Sequence, residues 1–454
     1  MITARNGMVL LSSLLCTGVL AQTQPPPSPE VHQMSVRQTI DYAKSHNVQV
    51  KNALLDIQVQ KESNRVTTAQ ALPRINGSGN FTDYLKLPVT VASSDNFPGT
   101  GAPPGTLIPF SFSTKYTASG SITLQQVLFD GQVFVGLQAR KTSIDLSTKN
   151  AEITEENIRA NIYKVYYQLV VSKTQMEQIN ANIEKLEKLV HDTKLMNENG
   201  FAEKLDVDRA SVQLSNLQTE KIKTENTITN GYLGLKVLIG MPPTDSLALT
   251  DVITDEEIKA GALDAGIYKY SDRKDFQALQ LTQSLYEYNI KSLRMGYLPT
   301  LSFNANYSEN AFRNKFDMFS NEPWYASSYI GLSLNVPIFN GFSKSANIAK
   351  ARLQLQQSQN QTESLKLSID QDVFKARNDF RTSILTIDNQ KKNMALAESV
   401  YTQTRKKYES GLASSTDLTN TQTELRIAQS NYISSLYDAI IARIDYLKAT
   451  GQLQ

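Results

Sequence analysis

Two stretches of the sequence decide the fold: ALPRINGSGNFT, residues 71–82, and YLPTLSFNANYS, residues 297–308. Each stretch has a Leu-Pro pair that follows a helix-like segment, and about ten alternating residues come next. Two further pairs of segments match in the same order. They are LQQVLFDGQVF from Leu124 with LNVPIFNGFSK from Leu334, and ENGFAEKLDVDRASVQL from Glu198 with ESGLASSTDLTNTQTEL from Glu409. The sequence therefore contains two copies of one plan.

The spacing of landmark glycines shows that the two copies stay in register. Gly131 and Gly341 are 210 positions apart, and Gly200 and Gly411 are 211 positions apart. Between these landmarks lie 69 positions in the first copy and 70 in the second. An element of that length, nearly equal in both copies, predicts a very long helix rather than a loose linker. Chance similarity between helices rich in Gln, Ser and Leu is the alternative. The matching Gly and Pro positions at three separate places count against it.

Each copy is predicted to run helix, strand, loop, strand, very long helix, turn, helix. The first helix is predicted to open at Ser35, because Gln38 completes a capping-box pattern, and its counterpart near Ser271 and Asp272. The predicted boundaries are a signal peptide 1–21, a linker 22–34, a first repeat 35–240, a linking segment 241–270 and a second repeat 271–454. The four strands are predicted at about 74–86, 114–128, 299–309 and 326–338.

The composition excludes several functional classes. Lys and Arg number 46 against 44 Asp and Glu, so the net charge of +2 does not indicate a nucleic-acid binder. With one Cys and three scattered His, disulfide scaffolds, zinc sites and cysteine nucleophiles are not indicated. We expect no metal, no cofactor and no enzymatic activity, because no Ser/His/Asp or phosphate-loop spacing occurs. The 21 Gly and 15 Pro are few for 454 residues, which favours long uninterrupted elements.

The N-terminus has the pattern of an export signal. Arg5 precedes a short apolar core, Met8–Leu20, and a small-residue cleavage pattern ends at Ala21. The apolar core is too short to span a bilayer as a helix. We expect cleavage after Ala21, which leaves a mature chain without cysteine. Lipid attachment at Cys16 is the alternative, although Leu15 stands where that processing prefers a small residue.

The predicted strands alternate between apolar and polar residues. In residues 116–127, 300–307 and 329–337, apolar side chains alternate with Ser, Thr, Asn, Gln or Gly. Period two gives each strand one apolar and one polar face. Polar faces with few charges suit the wet lumen of an outer-membrane barrel. A soluble β-sandwich would alternate in a similar way, but the export signal and the number of strands favour the membrane.

The strand count predicts self-association. Outside the signal no stretch reaches the ~18 apolar residues of a membrane helix, so any crossing of a membrane is expected to use strands. Four strands cannot close a barrel, since the smallest known barrels have about eight. An open edge in lipid would leave backbone N–H and C=O groups without partners. Several chains must therefore pool their strands, and the sequence does not choose between two chains and three.

Aromatic residues and loops suggest how the strands meet the membrane. Trp324, beside Tyr325 and Tyr329, is predicted to form an interfacial aromatic belt in contact with outer-membrane lipid. The long connections 87–110 and 308–323 are predicted to be loops at the cell exterior, because outer-membrane hairpins carry their long loops there.

The long helices carry an apolar seam. At ~1.5 Å per residue, about 65 helical residues extend ~100 Å. One seam consists of Ile369, Val373, Ala376, Phe380, Ile384 and Ile387, and in the last helix Leu418, Leu425, Tyr432, Ala439 and Tyr446 recur every seven residues. Small residues such as Thr421 and Ala428 occupy the companion heptad positions. They let neighbouring helices approach closely, as in the curved wall of a hollow helical barrel. A solid filamentous coiled coil is the alternative, but it leaves the strands unexplained.

The sequence resembles the TolC-type outer-membrane efflux proteins, also called outer membrane factors. The resemblance rests on the duplicated plan and on the segments GYLPTLSFNANYS, VPIFNGF, SDRKDFQALQLT and YESGLASSTDLTNTQTEL, and it spans residues 35–451. It implies a mostly α-helical fold with transmembrane β strands, in which a homotrimer forms a twelve-strand β-barrel continued by a twelve-helix periplasmic α-barrel. Residues 241–270 would belong to a belt around the middle of this tunnel.

The resemblance also implies the function. Members of the family are not catalytic, and they are the exit duct of efflux or type I secretion systems. They dock through a periplasmic adaptor protein to an inner-membrane pump that supplies the energy. We therefore expect a protein of the outer membrane of a diderm bacterium with a long periplasmic portion. A coiled-coil or adhesin stalk and a periplasmic adaptor are the alternatives, although adaptors carry one helical hairpin where this chain has two full copies.

A periplasmic gate is implied next to the turn after the second long helix. There the family has two inward-facing acids three residues apart, of which Asp417 matches the first and Asn420 replaces the second. Tyr408 matches a tyrosine that holds the tip shut, Asp206 occupies the equivalent of Asp417 in the first repeat, and Ala413 replaces an expected basic partner. One ring of carboxylates attracts cations less strongly than two. The alternative role of Asp417 is a helix cap.

The two helical turns match the tips that meet the adaptor in this family. Their alternative role is a glycine helix stop with a covering apolar residue. The predicted adaptor contacts are Gly200, Phe201, Ala202, Gly411, Leu412 and Ala413.

Overall fold

The computed structural model describes residues 31–96, 99, 101–252, 258, 268–317 and 321–453. Helices make up most of them, and one order of elements occurs twice. The first copy contains α1 (Val36–His46), α2 (Val48–Ala69), β2 (Arg74–Asp83), β5 (Tyr116–Phe129), α3 (Gly131–Glu198) and α4 (Lys204–Ile239). The second contains α5 (Lys274–Met295), β7 (Thr300–Arg313), β8 (Tyr325–Asn335), α6 (Ser343–Glu409) and α7 (Ser415–Ala449).

Equivalent helices have nearly equal lengths. Helices α2 and α5 have 22 residues each, α3 and α6 have 68 and 67, and α4 and α7 have 36 and 35. The very long helix predicted between the landmark glycines is therefore present in both copies. No helix in the described ranges is at once long and apolar enough to cross a membrane.

The first helix begins where its capping box predicts. The Ser35 amide donates to Gln38 Oε1 at 2.9 Å, and the Gln38 amide donates to Ser35 Oγ at 3.3 Å. The second copy begins differently from the expectation near Ser271 and Asp272. A single 3₁₀ turn covers Tyr270–Asp272, and α5 starts one residue later, after Arg273, whose side chain makes no cap.

Four strands form one antiparallel sheet in the order β2-β5-β7-β8, so β2 and β8 are its edges. The register aligns the apolar positions of all four strands on one face. Ile75 lies opposite Leu124, Leu124 opposite Ala305, and Ala305 opposite Ile330. Ser and Asn residues occupy the other face, where Ser78 Oγ and Ser121 Oγ are 2.8 Å apart. The predicted alternation is thus realised as two chemically distinct faces.

Two short strand pairs were not expected from the sequence. Strand β1 (Val31–Met34) pairs in parallel with β6 (Ser246–Leu249), and β3 (Thr90–Ser93) pairs with β4 (Leu107–Phe110). The first pair corrects the prediction that 22–34 is only a linker, since its last four residues are a strand. The predicted signal peptide and residues 22–30 lie outside the described residues. A four-residue strand whose partner is far away in sequence leaves no periodic signal.

The long helices pack side by side. Helix α3 packs against α2, α4, α5 and α7, whereas α6 packs against α5 and α7. Five of the six residues in the predicted seam of α6 are buried, Ile369 and Ile387 fully, and Ile384 is half-buried. Helix α3 is therefore interior to the layer, and α2 and α4 lie along one of its edges while α6 lies along the other.

In each copy, the glycine after the last helix packs against the backbone just before helix α2 or α5, and we call this contact the joint. Gly240 and Gly451 end α4 and α7 in left-handed conformations, with φ of 77° and 73°. A Cβ on Gly240 would lie 2.4 Å from the carbonyl oxygen of His46, and a Cβ on Gly451 would lie 2.7 Å from that of Asp272. Each joint is also bonded, because Asn47 Nδ2 donates to the Leu238 carbonyl at 2.6 Å and Arg273 Nη1 donates to the Ala449 carbonyl at 3.1 Å.

The close contact at Gly240 predicts that replacing this glycine destabilises the protein more than replacing Gly200, another left-handed glycine. Gly240→Ala should lower the thermal unfolding midpoint of the detergent-purified protein more than Gly200→Ala, although φ is 77° and 79°. Both substitutions carry the left-handed penalty of roughly 1–2 kcal/mol. Only Gly240→Ala adds overpacking, worth about 1–3 kcal/mol, because nothing lies within 4 Å of a Cβ on Gly200. The unfolding midpoints are measured by circular dichroism. Equal decreases for the two variants would contradict a close contact at Gly240.

Candidate functional site

The far ends of the long helices form two similar turns. The turn between α3 and α4 contains Gly200 with φ 79°, and the turn between α6 and α7 contains Gly411 with φ 72°. The Phe201 amide donates to the Met196 carbonyl at 2.8 Å, and the Leu412 amide makes the equivalent bond to Lys407 at 2.8 Å. These are glycine helix stops, in which a residue beyond the glycine bonds back to the last turn. The two hairpin tips thus have the same backbone structure.

The tips present apolar side chains to solvent. Phe201 and Leu412 are each 79% exposed, whereas Ala202 and Ala413 are half-buried. In a helix stop of this kind the apolar residue after the glycine usually covers the last turn. Here the two large side chains leave it largely uncovered, so the predicted adaptor-contact residues are sterically available to a partner.

Asp417 caps helix α7. The Ser414 hydroxyl donates to Asp417 Oδ2 at 2.7 Å and the Ser414 amide donates to the same oxygen at 3.1 Å. In return, the Asp417 amide donates to Ser414 Oγ at 3.1 Å. The two bonds from Ser414 favour the ionised carboxylate and lower the pKa of Asp417 below its ordinary value of 3.8. The cap weighed as an alternative is therefore present, and the exposed carboxylate is negative at physiological pH.

Asp206 has a basic neighbour that the sequence did not reveal. Arg209 Nη1 lies 3.9 Å from Asp206 Oδ1 and donates to Thr416 Oγ1 at 3.0 Å. Arg209 therefore connects the start of α4 to the first turn of α7, next to Asp417. This contact joins two hairpins that are far apart in the sequence, and only an alignment of the two tips in space could have indicated it.

Two further polar contacts join the hairpins away from the tip. Arg426 Nη1 donates to Glu220 Oε2 at 2.5 Å, which links α7 to α4. Asn182 Nδ2 donates to Gln429 Oε1 at 3.2 Å, which links α3 to α7. Each of these links is exposed or only partly buried, so each contributes little on its own. Together they hold the two hairpins against each other several turns from the tips.

Tyr408 and Asn420 do not join this network in the described contacts. Tyr408 is half-buried and lines a cavity of about 330 Å³ with Leu418 and residues of α3 such as Thr193 and Met196. Asn420 is exposed on α7. Of the four predicted gate residues, Asp206 and Asp417 thus lie next to the contact between Arg209 and Thr416, and Tyr408 faces α3.

The register of the sheet corrects the predicted aromatic belt. Tyr329 lies opposite Asn306 and Tyr325 opposite Asn310, so both tyrosines face the polar side. The apolar positions of β8 are even-numbered, and these tyrosines are odd-numbered, which places them on the other face. Trp324 precedes β8 and is exposed. The aromatic cluster on the apolar face consists instead of Phe81, Tyr116 and Phe316, with ring centroids 5.7 to 6.3 Å apart.

A metal-binding cluster is absent from the described ranges, in which no three His, Cys, Asp or Glu residues converge.

Comparisons with known proteins agree with this architecture. A family model described as outer membrane efflux protein matches residues 39–241 and 270–452. Outer membrane protein TolC of Vibrio cholerae is 21% identical over 339 residues, which cover 74% of this chain and 77% of that protein. Outer membrane efflux protein BepC of Brucella suis is 20% identical over 450 residues, 98% of this chain and 89% of that one. Proteases secretion protein PrtF of Dickeya chrysanthemi is 19% identical over 246 residues, 53% and 52% of the two chains.

Solved structures share the fold. The CusC structure, described in connection with transmembrane channel formation, superposes with a TM-score of 0.75 at 16% identity and covers 92% of each chain. The outer membrane protein VceC from Vibrio cholerae gives a TM-score of 0.70 at 15% identity, and covers 92% of this chain and 96% of that one.

The capping box predicts a pH dependence at the tip. Because the folded-state pKa of Asp417 is lowered, its contribution to stability is present above the ordinary value of 3.8 and is lost as pH falls through the lowered pKa. Ser414→Ala and Asp417→Ala should each speed amide exchange in residues 414–418 at pH 7, measured by mass spectrometry. Wild type should lose this protection only in strong acid. Asn420→Ala is the control, and a wild-type loss near pH 6 would contradict the assignment.

Proposed function

This chain belongs to the outer membrane efflux protein family, and on that premise we propose that three copies form one continuous duct through the outer membrane and the periplasm. The chain is an outer-membrane channel protein of efflux or secretion systems, and it conducts cargo passively toward the exterior. Its named relatives include efflux channels and a protease secretion protein. The stalk and adaptor alternatives find no support, because these relatives are channels. We propose no catalytic activity for the chain.

The open sheet supports assembly into a ring. Neighbouring strands run antiparallel throughout, and the four-strand count is even, so β8 of one copy and β2 of the next meet in antiparallel orientation. Two copies would supply eight strands, and an eight-strand barrel is wide enough only for its own side chains or one small ligand. A duct for larger cargo needs a wider ring. Three copies supply twelve strands, which is the arrangement we propose.

The helix layer supports the same ring. Interior helix α3 is covered by neighbours, whereas the edge helices expose large apolar residues. These include Val59 and Val66 on α2, Val212 and Ile222 on α4, and Phe374 and Leu396 on α6. We propose that α6 of one copy packs against α2 and α4 of the next, which would give a twelve-helix periplasmic tunnel.

The linking segment 241–270 is proposed to belong to a belt around the tunnel. Its described ends are attached to both copies. Strand β6 pairs with β1, and Tyr268 and Tyr270 donate to Asp370 Oδ1 at 2.6 and 2.9 Å. The bond to Asp370 raises the pKa of Tyr268 to about 12, so the tyrosine stays protonated and remains a donor. These contacts would hold the belt against α6.

We propose that the tip is a gate and that Arg209 belongs to it. Asp417 from three copies would form one ring of carboxylates, with Asn420 behind it as an uncharged ring. Such a ring attracts cations. The contacts from Arg209 to Thr416 and from Arg426 to Glu220 would hold the two hairpins of each copy together when the tip is closed. Tyr408, against α3, would keep α6 in place.

The gate predicts distinct conductance phenotypes. Arg209→Ala combined with Arg426→Ala should raise the single-channel conductance in planar bilayers, because the two links that arginines make between the hairpins are lost. Asp417→Asn should reduce the preference for cations. Arg405→Ala is the matched control, because Arg405 pairs with Glu409 on its own helix at 2.9 Å. Unchanged current and ion preference in both gate variants would count against a gate at this tip.

The two tips are proposed to meet the periplasmic adaptor through Phe201, Leu412 and the adjoining Gly200, Ala202, Gly411 and Ala413. Phe201→Asp combined with Leu412→Asp should abolish export of the pump's cargo from cells, while the amount of assembled protein in the outer membrane stays unchanged. Assembly should survive because both side chains already face water. Leu85→Asp, at an exposed position beyond β2, is the control. Full export by the double variant would exclude this docking surface.

A further inference from the structure

The segment between β8 and α6 is apolar, exposed and strained. It reads Val336-Pro337-Ile338-Phe339-Asn340-Gly341-Phe342. Ile338 is 93% exposed, Phe339 76% and Phe342 73%. Phe342 has φ 64°, and among the described residues no other residue except glycine has a positive φ. A bulky residue rarely adopts this conformation, so the strain at Phe342 marks the junction as a candidate contact site.

The equivalent segment of the first copy is packed rather than exposed. Gly131 is the counterpart of Gly341, and a Cβ on Gly131 would lie 2.8 Å from Met295 Cβ at the end of α5. Gln132, the counterpart of Phe342, lies against Gly296, with its Nε2 3.2 Å from where a Cβ would be. Nothing lies within 4 Å of a Cβ on Gly341. The first-copy junction thus has a partner in the second copy, and the second-copy junction lacks one within the described chain.

The duplication identifies the missing partner. Helix α5 and the start of β7 follow α2 and the start of β2 by 226 positions, so Met295 corresponds to Ala69, and Gly296 to Gln70. We infer that residues 337–342 dock into the α2–β2 corner, residues 69–75, of the next copy, as the first-copy junction docks onto the second copy. The partner is a second copy of this chain, and the inference rests on the proposed ring.

The same correspondence fixes the register between copies. Within the chain Leu124 lies opposite Ala305, and Phe129 lies opposite Leu301. The strand β5 positions are moved forward by 210, the spacing of Gly131 and Gly341, and the β7 positions are moved back by 226. These pairs then become Leu334 opposite Gly79 and Phe339 opposite Ile75 of the next copy. The neighbouring position then places Ser333 opposite Asn80.

The chemistry of these pairs is consistent with the register. Leu334 would lie opposite Gly79, where the atom nearest to a Cβ is the Ser119 carbonyl oxygen at 4.0 Å, and Phe339 would lie opposite Ile75, which is exposed in the single chain. Ser333 and Asn80 both lie on the polar face. At the corner, the smaller Ala69 replaces Met295, and the larger Phe342 replaces Gln132. Since Met295 contacts Gly131 and Gln132 contacts Gly296 within the chain, Ala69 would face Gly341 and Phe342 would face Gln70 of the next copy.

Cysteine cross-linking in outer membranes tests the register. Ser333→Cys with Asn80→Cys should form linked dimers and trimers on non-reducing gels, because opposite Cα atoms in a sheet lie ~4.5–5.5 Å apart. Ser333→Cys with Ser78→Cys and Ser333→Cys with Thr82→Cys are the controls, shifted by two residues on the same face. We expect about tenfold less product from either, since Cα atoms more than ~7 Å apart are poorly bridged. The only cysteine, Cys16, precedes the predicted cleavage site.

The outcomes separate this register from the ring itself. Preferential linking of a shifted pair, or no linking in a protein that still migrates as a trimer on native gels, would overturn the register and leave the duct intact. No linking together with a monomeric protein would overturn both.

A second pair of variants tests the docking segment. Phe339→Ser combined with Phe342→Ser should lower the fraction of assembled protein at least several-fold. Phe112→Ser, at a position 83% exposed but outside the proposed contact, should leave it unchanged. Equal assembly in both would contradict a role for residues 337–342.

Discussion

Unpaired backbone groups at the two edges of the sheet are the constraint on which the architecture depends. Among the described strands, β2 and β8 each have one side without a partner strand. In water these N–H and C=O groups would be solvated, but in the outer membrane each would cost several kcal/mol. No change of side chains removes this cost, since the groups belong to the backbone. This cost supports the proposal that the chain completes its sheet with other copies, and the exposed apolar residues of the edge helices support the same assembly along the helix layer.

The duplication reduces the number of different contacts that such an assembly needs. One joint, a left-handed glycine against a backbone carbonyl, closes both copies at Gly240 and Gly451. One junction, from strand to long helix, is packed in the first copy, and we propose that it is completed between chains in the second. A ring of three chains would then contain six similar units. The two copies differ at some equivalent positions, such as Phe342 in place of Gln132. We propose that these differences mark where a contact between chains replaces a contact within the chain.

The tip works with weaker interactions than the sheet. Its links between hairpins are exposed or half-buried ion pairs and hydrogen bonds, each worth roughly 0–1 kcal/mol. Contacts of this size suit the proposed gate, because separating the hairpins would then cost little free energy. Asp417 can serve both as the cap of α7 and as a charge at the mouth, since Ser414 bonds to the carboxylate without neutralising it.

The amino-acid sequence alone was enough to predict the duplicated plan, the two very long helices, the four alternating strands and the capping box at Ser35. These are local or periodic features, which the periodicity of apolar residues and the positions of glycines indicate directly. The tertiary structure decided what depends on distant partners. It paired β1 with β6 inside the predicted linker, and it turned Tyr325 and Tyr329 to the polar face through the register of β8. It also brought Arg209 to Thr416 across 207 positions. Register and contacts between hairpins are set by packing of whole elements, and no local pattern in one element specifies them.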